Sequence, residues 1–331
     1  MTQHCIVITL VEAEKKSQTL LKSMIIIAKV ILLTFVFMIV MGISAGIAGF
    51  DSGSLVENAS QTMGITLLVF FLQTVALSYP ILRSNLKSLH LVILVALLYF
   101  GISVFLVQIE TLVFLNYFIE MISSDMILHL FIQGAITAVI FAPIAVFVLR
   151  GWRNRSGSGL QSVRLGMSKI QGLMKVSVLA ATYVVFYVFF GIFVAWQNPA
   201  MNEYYGDLIV RMAAVGGWML LLQAGRGAVF IAIALPVIQT SKGKTWEKAI
   251  MVGLLFSILT ASNLLIPTTI MPDTIRMSHF YEVAIPGFIF GLLVGWLMNR
   301  PHTSIRDLFG RPQSSVEETN VISEYPYAVV S

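Results

Sequence analysis

Eight long apolar runs follow one another along the chain, at residues 24–46, 63–82, 89–108, 126–149, 176–196, 209–239, 249–270 and 279–298, with short polar stretches between them. Each is long enough to cross about 30 Å of hydrocarbon as a helix rising about 1.5 Å per residue. The runs are apolar on every face rather than alternating with period two, so helices are predicted and a β-barrel is not. The expected fold is an all-α polytopic membrane protein of about eight transmembrane helices.

The polar stretches alternate in charge. Lys15, Lys16, Lys22 and Lys29 precede or open the first run, and Arg83 and Lys87 follow the second. Arg150, Arg153, Arg155, Arg164, Lys169 and Lys175 lie between the fourth and fifth. Lys242, Lys244 and Lys248 follow the sixth, and Arg300, Arg306 and Arg311 follow the eighth. The intervening loops carry Asp51, Glu57, Glu110, Glu120, Asp125, Glu203, Asp207 and Asp273 instead. The positive-inside rule then predicts a plasma (cell) membrane protein with both termini cytoplasmic. Residues 5–11 are apolar but too short for a cleaved signal, and Glu12 and Glu14 follow them. Met24, at the edge of the first run, leaves residues 1–23 open as an upstream extension of the native start.

Five segments are expected: a cytoplasmic N-terminal segment at 1–23, a first four-span half at 24–150, a cytoplasmic linker at 151–175, a second four-span half at 176–300, and a polar, disordered tail at 301–331. Within the linker, Leu160, Val163, Met167, Ile170 and Met174 recur at three- and four-residue steps, with Gln161, Arg164, Lys169 and Gln171 between them. This pattern predicts an amphipathic helix, lying against anionic headgroups or packed on the protein's own helix ends. The halves share landmarks. Lys29, Thr34 and Gly42 are echoed by Lys175, Thr182 and Gly191, and Pro80 by Pro236. His129 and Arg150 bracket the fourth run with the same spacing as His279 and Arg300 the eighth. An even number of crossings per half makes this a parallel internal repeat about an axis along the membrane normal.

Composition narrows the function classes. Of 331 residues, 57% are hydrophobic and 11% charged, against about 25% charged in soluble domains, so a water-soluble globule is excluded. The formal net charge of +5 reports loop charge and implies no nucleic-acid partner; the lipid bilayer is the expected one. The single cysteine, Cys5, forms neither an intrachain disulfide nor a thiolate metal cluster. The sixteen methionines are spread through the runs as packing residues rather than copper ligands.

One residue departs from this economy. Arg226 falls inside the sixth run, about 22 Å along the helix from Arg211, and an arginine at a helix centre costs about 2.5–3.5 kcal/mol on insertion scales. Gly225 and Gly227 flank it, Gln223 precedes it by a turn, and the matched first-half position is about Phe70. Among the acids, Glu282 near the outer end of the eighth run, opposite about Ile132 of the first half, is the expected counterion, since none lies at the same depth in any run. Two readings follow: a buried pair tying spans six and eight, joined by Gln73 or Asn263, or an outward-facing polar site in which Arg226 binds a carboxylate or phosphate of a small anion or lipid headgroup. In the second reading Arg211, Arg276 and His279 line the mouth.

Arg276, His279 and Glu282 fall at three-residue steps on one helical face. His279 and Glu282 suit hydrogen bonding or proton transfer; a metal would need further ligands, His129 being the one attractive extra, and neither metal nor cofactor is expected. Pro267, Pro272 and Pro286 predict a kinked outer end. The stretch from Trp196 to Asp207 reads as an aromatic interface belt or as a lid, and 111–119 as a short interfacial or re-entrant segment. The favoured function is a transporter or binder of a small anion or anionic lipid group, with Arg226, Glu282, Arg211, Arg276, His279 and Gln223 at the site. A non-transporting sensor or assembly partner is the first alternative. An intramembrane enzyme on a lipid-linked substrate is the second, with only His279 and Glu282 available as base and orienter and no catalytic residue assigned.

Overall fold

The structure, a computed structural model, describes residues 2–49, 59–118, 123–152, 168–205 and 217–300. They form α1 (Thr2–Ala48), α2 (Ala59–Arg83), α3 (Ser88–Leu98), a π-helical segment (Tyr99–Phe105), α4 (Leu106–Phe118), α5 (Ser124–Arg150), α6 (Lys169–Phe193), α7 (Pro199–Tyr205), α8 (Gly217–Thr240), α9 (Thr245–Ala261) and α10 (Asp273–Met298). Among the described residues eight helices are long and apolar enough to cross a membrane, α3 and α4 together making the third and α7 lying between the fifth and sixth. No named strand forms among them.

Two boundaries move. The stretch 111–119, expected as a separate interfacial or re-entrant segment, is instead the continuation of the third span as far as Phe118, because no glycine or proline interrupts the chain from Ile102 to Ile119. At the fifth span, Ser168 and Gln171 build a capping box, so Ile170 and Met174 belong to the first turns of α6 itself. Leu160, Val163 and Met167 of the expected linker helix lie outside the described residues, as do Arg211 and residues 301–331. At the other end, α1 runs unbroken through residue 23 into the first span.

The first four spans pack α1 on α2 and α5, and α3 on α5; the last four pack α6 on α8 and α10, and α9 on α10. The two sets meet where α2 touches α9 and α3 touches α8. At the basic end their loops join in a reciprocal antiparallel bridge between Ser84 and Ser241. The Asn85 N–H donates to the Thr240 carbonyl at 2.7 Å and the Lys242 N–H to the Arg83 carbonyl at 2.8 Å. Gln73 also spans the seam, donating to Ser262 Oγ and Asn263 Oδ1, both at 2.9 Å. It is therefore engaged with Asn263 and not with Arg226.

One continuous apolar core fills the bundle, from Leu33 and Phe37 of α1 through Leu98 and Ile102 to Phe256 and Phe290. Close approach of α9 and α10 rests on small residues. A Cβ added at Gly291 would lie 2.5 Å from the Gly253 Cα, and one at Gly295 would lie 2.5 Å from the Ala249 Cα. This is how membrane helices gain van der Waals contact without a hydrophobic driving force between them.

The basic end is closed by Lys175, which is 0% exposed. Its Nζ donates to the carbonyls of Leu297 at 3.0 Å and Arg300 at 2.7 Å. It thus binds one unsatisfied carbonyl of the last turn of α10 and another just past the helix end, where a cation is favoured by the helix dipole. Replacing it by an isosteric apolar chain leaves those carbonyls unpaired. Lys175→Met is expected to destabilise the protein by about 1–3 kcal/mol, read as lower thermal stability in detergent, whereas Lys169→Met, exposed in the first turn of α6, should change little.

Candidate functional site

Arg226 sits in α8 and is 7% exposed. Fourteen residues separate it from Thr240 at the basic end of its helix, a depth of about 21 Å. Its counterion is Glu110 of α4, not Glu282: Arg226 Nη2 meets Glu110 Oε2 at 2.6 Å. Gln223 completes the group, accepting from Arg226 Nη1 at 2.7 Å on its Oε1 and donating from its Nε2 to Glu110 Oε1 at 3.0 Å. The expectation that no acid shares this depth is thereby corrected.

Hydropathy alone assigns Glu110 to an outer loop, because the apolar run ends at Gln108. The π-helical turn changes that geometry. An extra residue in a helical turn rotates all that follows by about 100° relative to an unbroken α-helix, so the face on which Glu110 emerges depends on Tyr99–Phe105. The π segment is anchored by Ser103, whose Oγ donates to the Leu259 carbonyl of α9 at 2.6 Å. Glu110 keeps 26% of its side chain exposed, whereas the Arg226 side chain keeps 8%. Arg226 Nε is buried without a hydrogen-bond partner, so one donor of the guanidinium remains for a further acceptor.

Gly227 lets α6 come close beside this group: a Cβ there would lie 2.9 Å from the Tyr183 Cβ and 3.4 Å from the Ala180 Cα. The approach brings Tyr183 and Tyr187 of α6 into the field of both Arg226 and Glu110, and Tyr187 into that of Glu282 as well. Tyr187 thus feels both of the charged groups that the sequence suggested would touch directly.

Glu282 belongs to a second group. Its Oε2 meets His279 Nδ1 at 2.7 Å, and His279 Nε2 meets the Tyr205 hydroxyl at 2.6 Å. With a proton on Nδ1 facing the carboxylate, the neutral ring accepts the tyrosine O–H at Nε2. The carboxylate's other oxygen, Oε1, faces Gly191 of α6, where an added Cβ would lie 3.4 Å from it. Tyr205 lies outside the spans; burial first, then the neighbouring Tyr204 and the Glu282 charge, raise its hydroxyl above the ordinary tyrosine range and keep it protonated.

Tyr205 is carried by α7, which together with the 3₁₀ turn before it, Ala195–Gln197, docks on the start of α10 through Ala195, Met201 and Ile275. The Tyr204 hydroxyl donates to the Ile270 carbonyl at 2.8 Å, and Asn198 Nδ2 donates to Ser278 Oγ at 2.9 Å. Arg276 is also buried, pairing with Asp273 at 2.5 Å and donating to the Leu264 carbonyl at 2.6 Å. That carbonyl lies where α9 gives way to a 3₁₀ turn, Ser262–Leu265; Arg276 therefore supports the broken end of the seventh span, and its side chain is only 5% exposed. His129, the extra ligand a metal would have used, instead meets the Asp125 carbonyl at 2.7 Å, and among the described residues no cluster of three or more metal-binding side chains occurs.

The two glycines beside Arg226 differ in what surrounds them, since a Cβ at Gly225 meets nothing within 4 Å. Gly227→Ala is expected to push α6 away and cost about 1–3 kcal/mol, as overpacking does, while Gly225→Ala leaves thermal stability near that of the wild type.

No protein-family model, curated protein or solved structure matches this chain.

Proposed function

We propose that this chain is a multi-pass plasma-membrane protein, with both termini cytoplasmic, that binds and carries a small anion at Arg226. Glu110 is the tethered carboxylate that holds the guanidinium until an external anion displaces it. The observation that carries this reading is the Arg226–Glu110–Gln223 triangle. A deeply buried arginine is matched by a carboxylate from the other four-span set, that carboxylate is the more exposed partner, and the buried Arg226 Nε is still without an acceptor. An anion offers the guanidinium what Glu110 offers it: oxygen acceptors and a negative charge.

The two four-span sets act as the moving parts, as parallel repeats rocking about a shared site. Their matched neighbours and the reciprocal Ser84–Ser241 bridge support a duplicated origin. The Arg226–Glu110 pair joins α8 of one set to α4 of the other, so exchanging Glu110 for a free anion would loosen one tie between them. Arg276 and His279 act in support of the site rather than as its lining, Arg276 through the end of the seventh span and His279 through Glu282.

A second reading is favoured by the completeness of the triangle: a clasp that holds the sets together and binds nothing. Glu110→Gln separates the two. The amide keeps the shape and removes the competing charge, so the anion site is vacated electrostatically. Affinity for chloride, acetate or inorganic phosphate, measured by calorimetry on the purified full chain, is expected to rise about tenfold or more, equivalent to about 1.4 kcal/mol. Short-chain phosphatidylglycerol, titrated in parallel, distinguishes a lipid headgroup from a free anion. A clasp predicts the opposite outcome: Glu110→Gln loses stability, and none of these anions restores it.

A further inference from the structure

The geometry points to protons as the ions coupled to that anion, taken up by the Tyr205–His279–Glu282 group, an inference that rests on the reading of Arg226 just given. Charge balance in an apolar bundle supports it. With a neutral imidazole, Arg226, Glu110, Glu282 and His279 together carry one net negative charge. An anion entering beside Arg226 would double it, in surroundings where an unbalanced charge is strongly disfavoured. One proton taken up by the group as the anion binds leaves the total unchanged.

His279 is built to take that proton. Imidazole is the side chain whose charge ordinarily changes between about pH 5 and 8. Its Nδ1 is held at 2.7 Å by the Glu282 carboxylate, which accepts from the neutral ring and from the imidazolium alike. Its Nε2 faces the Tyr205 hydroxyl at 2.6 Å, a group that both donates and accepts. When Nε2 gains a proton, the tyrosine turns from donor to acceptor and no contact is broken. A backbone carbonyl or an amino group at that position would tolerate only one of the two states.

The remaining charged and titratable groups around His279 do not compete for the role. Tyr204 and Tyr205 face it from α7, and burial keeps both hydroxyls protonated by raising them above their usual range. Arg276, a turn earlier on α10, is closed on Asp273, a further turn back, at 2.5 Å. On α6, Tyr187 lies in the fields of Glu110, Glu282 and Arg226 alike. The protonation state of the outer group acts on the anion site directly, as a Coulomb field in low-dielectric surroundings, with no hydrogen-bonded wire required. Binding of proton and anion is then reciprocal: each strengthens the other by the same factor.

The test uses the purified full-length chain with chloride and acetate as probe anions, titrated at about pH 5.5 and pH 8, either side of the imidazole range. Wild-type affinity is expected to fall by about tenfold between the lower and the higher pH, and a pH-indicator dye in weak buffer should record net proton uptake as the anion binds. His279→Gln should bind the anion with an affinity independent of pH over this range. Glu282→Gln, which removes the resting negative charge, should bind about tenfold more tightly than wild type at pH 8, a gain that misfolding does not mimic. Anion binding that is equally tight at both pH values in the wild type, with no proton uptake, overturns proton coupling and leaves the Arg226 site standing. Absence of anion binding by the wild type at every pH overturns both.

Discussion

A guanidinium cannot be left unbalanced inside an apolar bundle, and much of the arrangement around α8 answers that one requirement. Arg226 lies too far from either helix end to extend its charge fully into water, so charge and acceptors must be brought to it. Gln223, one turn away on the same helix, supplies one acceptor and fixes the orientation of the fork. Glu110 supplies the charge, and it does so from the other four-span set. The ion pair is thus also a tie between sets, and the depth of α4, the phase of the third span and the close approach of α6 all bear on its geometry.

The π-helical segment is the least regular part of this solution. A π turn widens the backbone and weakens local hydrogen bonding, and here it stands beside α9, to which Ser103 bonds. The seventh span has its own irregularity, the 3₁₀ turn at Ser262–Leu265. Polar side chains gather at both: Ser103 at the first, Gln73, Ser262 and Asn263 at the second. Non-helical backbone at membrane depth survives where protein covers it and gives its polar groups partners, and the bonds of Gln73 and Arg276 do this on either side of the 3₁₀ turn.

What is legible in the sequence depends on what each residue signals alone. The eight spans are plain, because about 20 consecutive apolar residues match the thickness of a bilayer when coiled as a helix. Arg226 and its turn neighbour Gln223 are plain too, as costs that an apolar helix does not otherwise bear. Glu110 is not: a hydropathy window ends at the first cluster of polar residues, and Gln108 and Glu110 look like the start of a loop. The available signal is negative, the lack of any glycine or proline from Ile102 to Ile119 to stop the helix. Tyr205 is hidden differently. His279 and Glu282 announce one another by their three-residue spacing, but the tyrosine that completes the group comes from a short helix distant in sequence, among aromatics that suit an interface belt equally well.

The reciprocal bridge between Ser84 and Ser241 ties the two sets backbone to backbone at one end of the bundle. Two short N–H···O bonds with facing geometry resist separation, yet they permit rotation about the line that joins them. In the proposed rocking of the two sets they serve as the hinge pin. A turn of about 10° there moves groups lying about 21 Å away by about 4 Å, which is more than the length of the Arg226–Glu110 contact. The lever arm, set by helix length alone, lets a small rotation at the basic end part the ion pair without unfolding any helix.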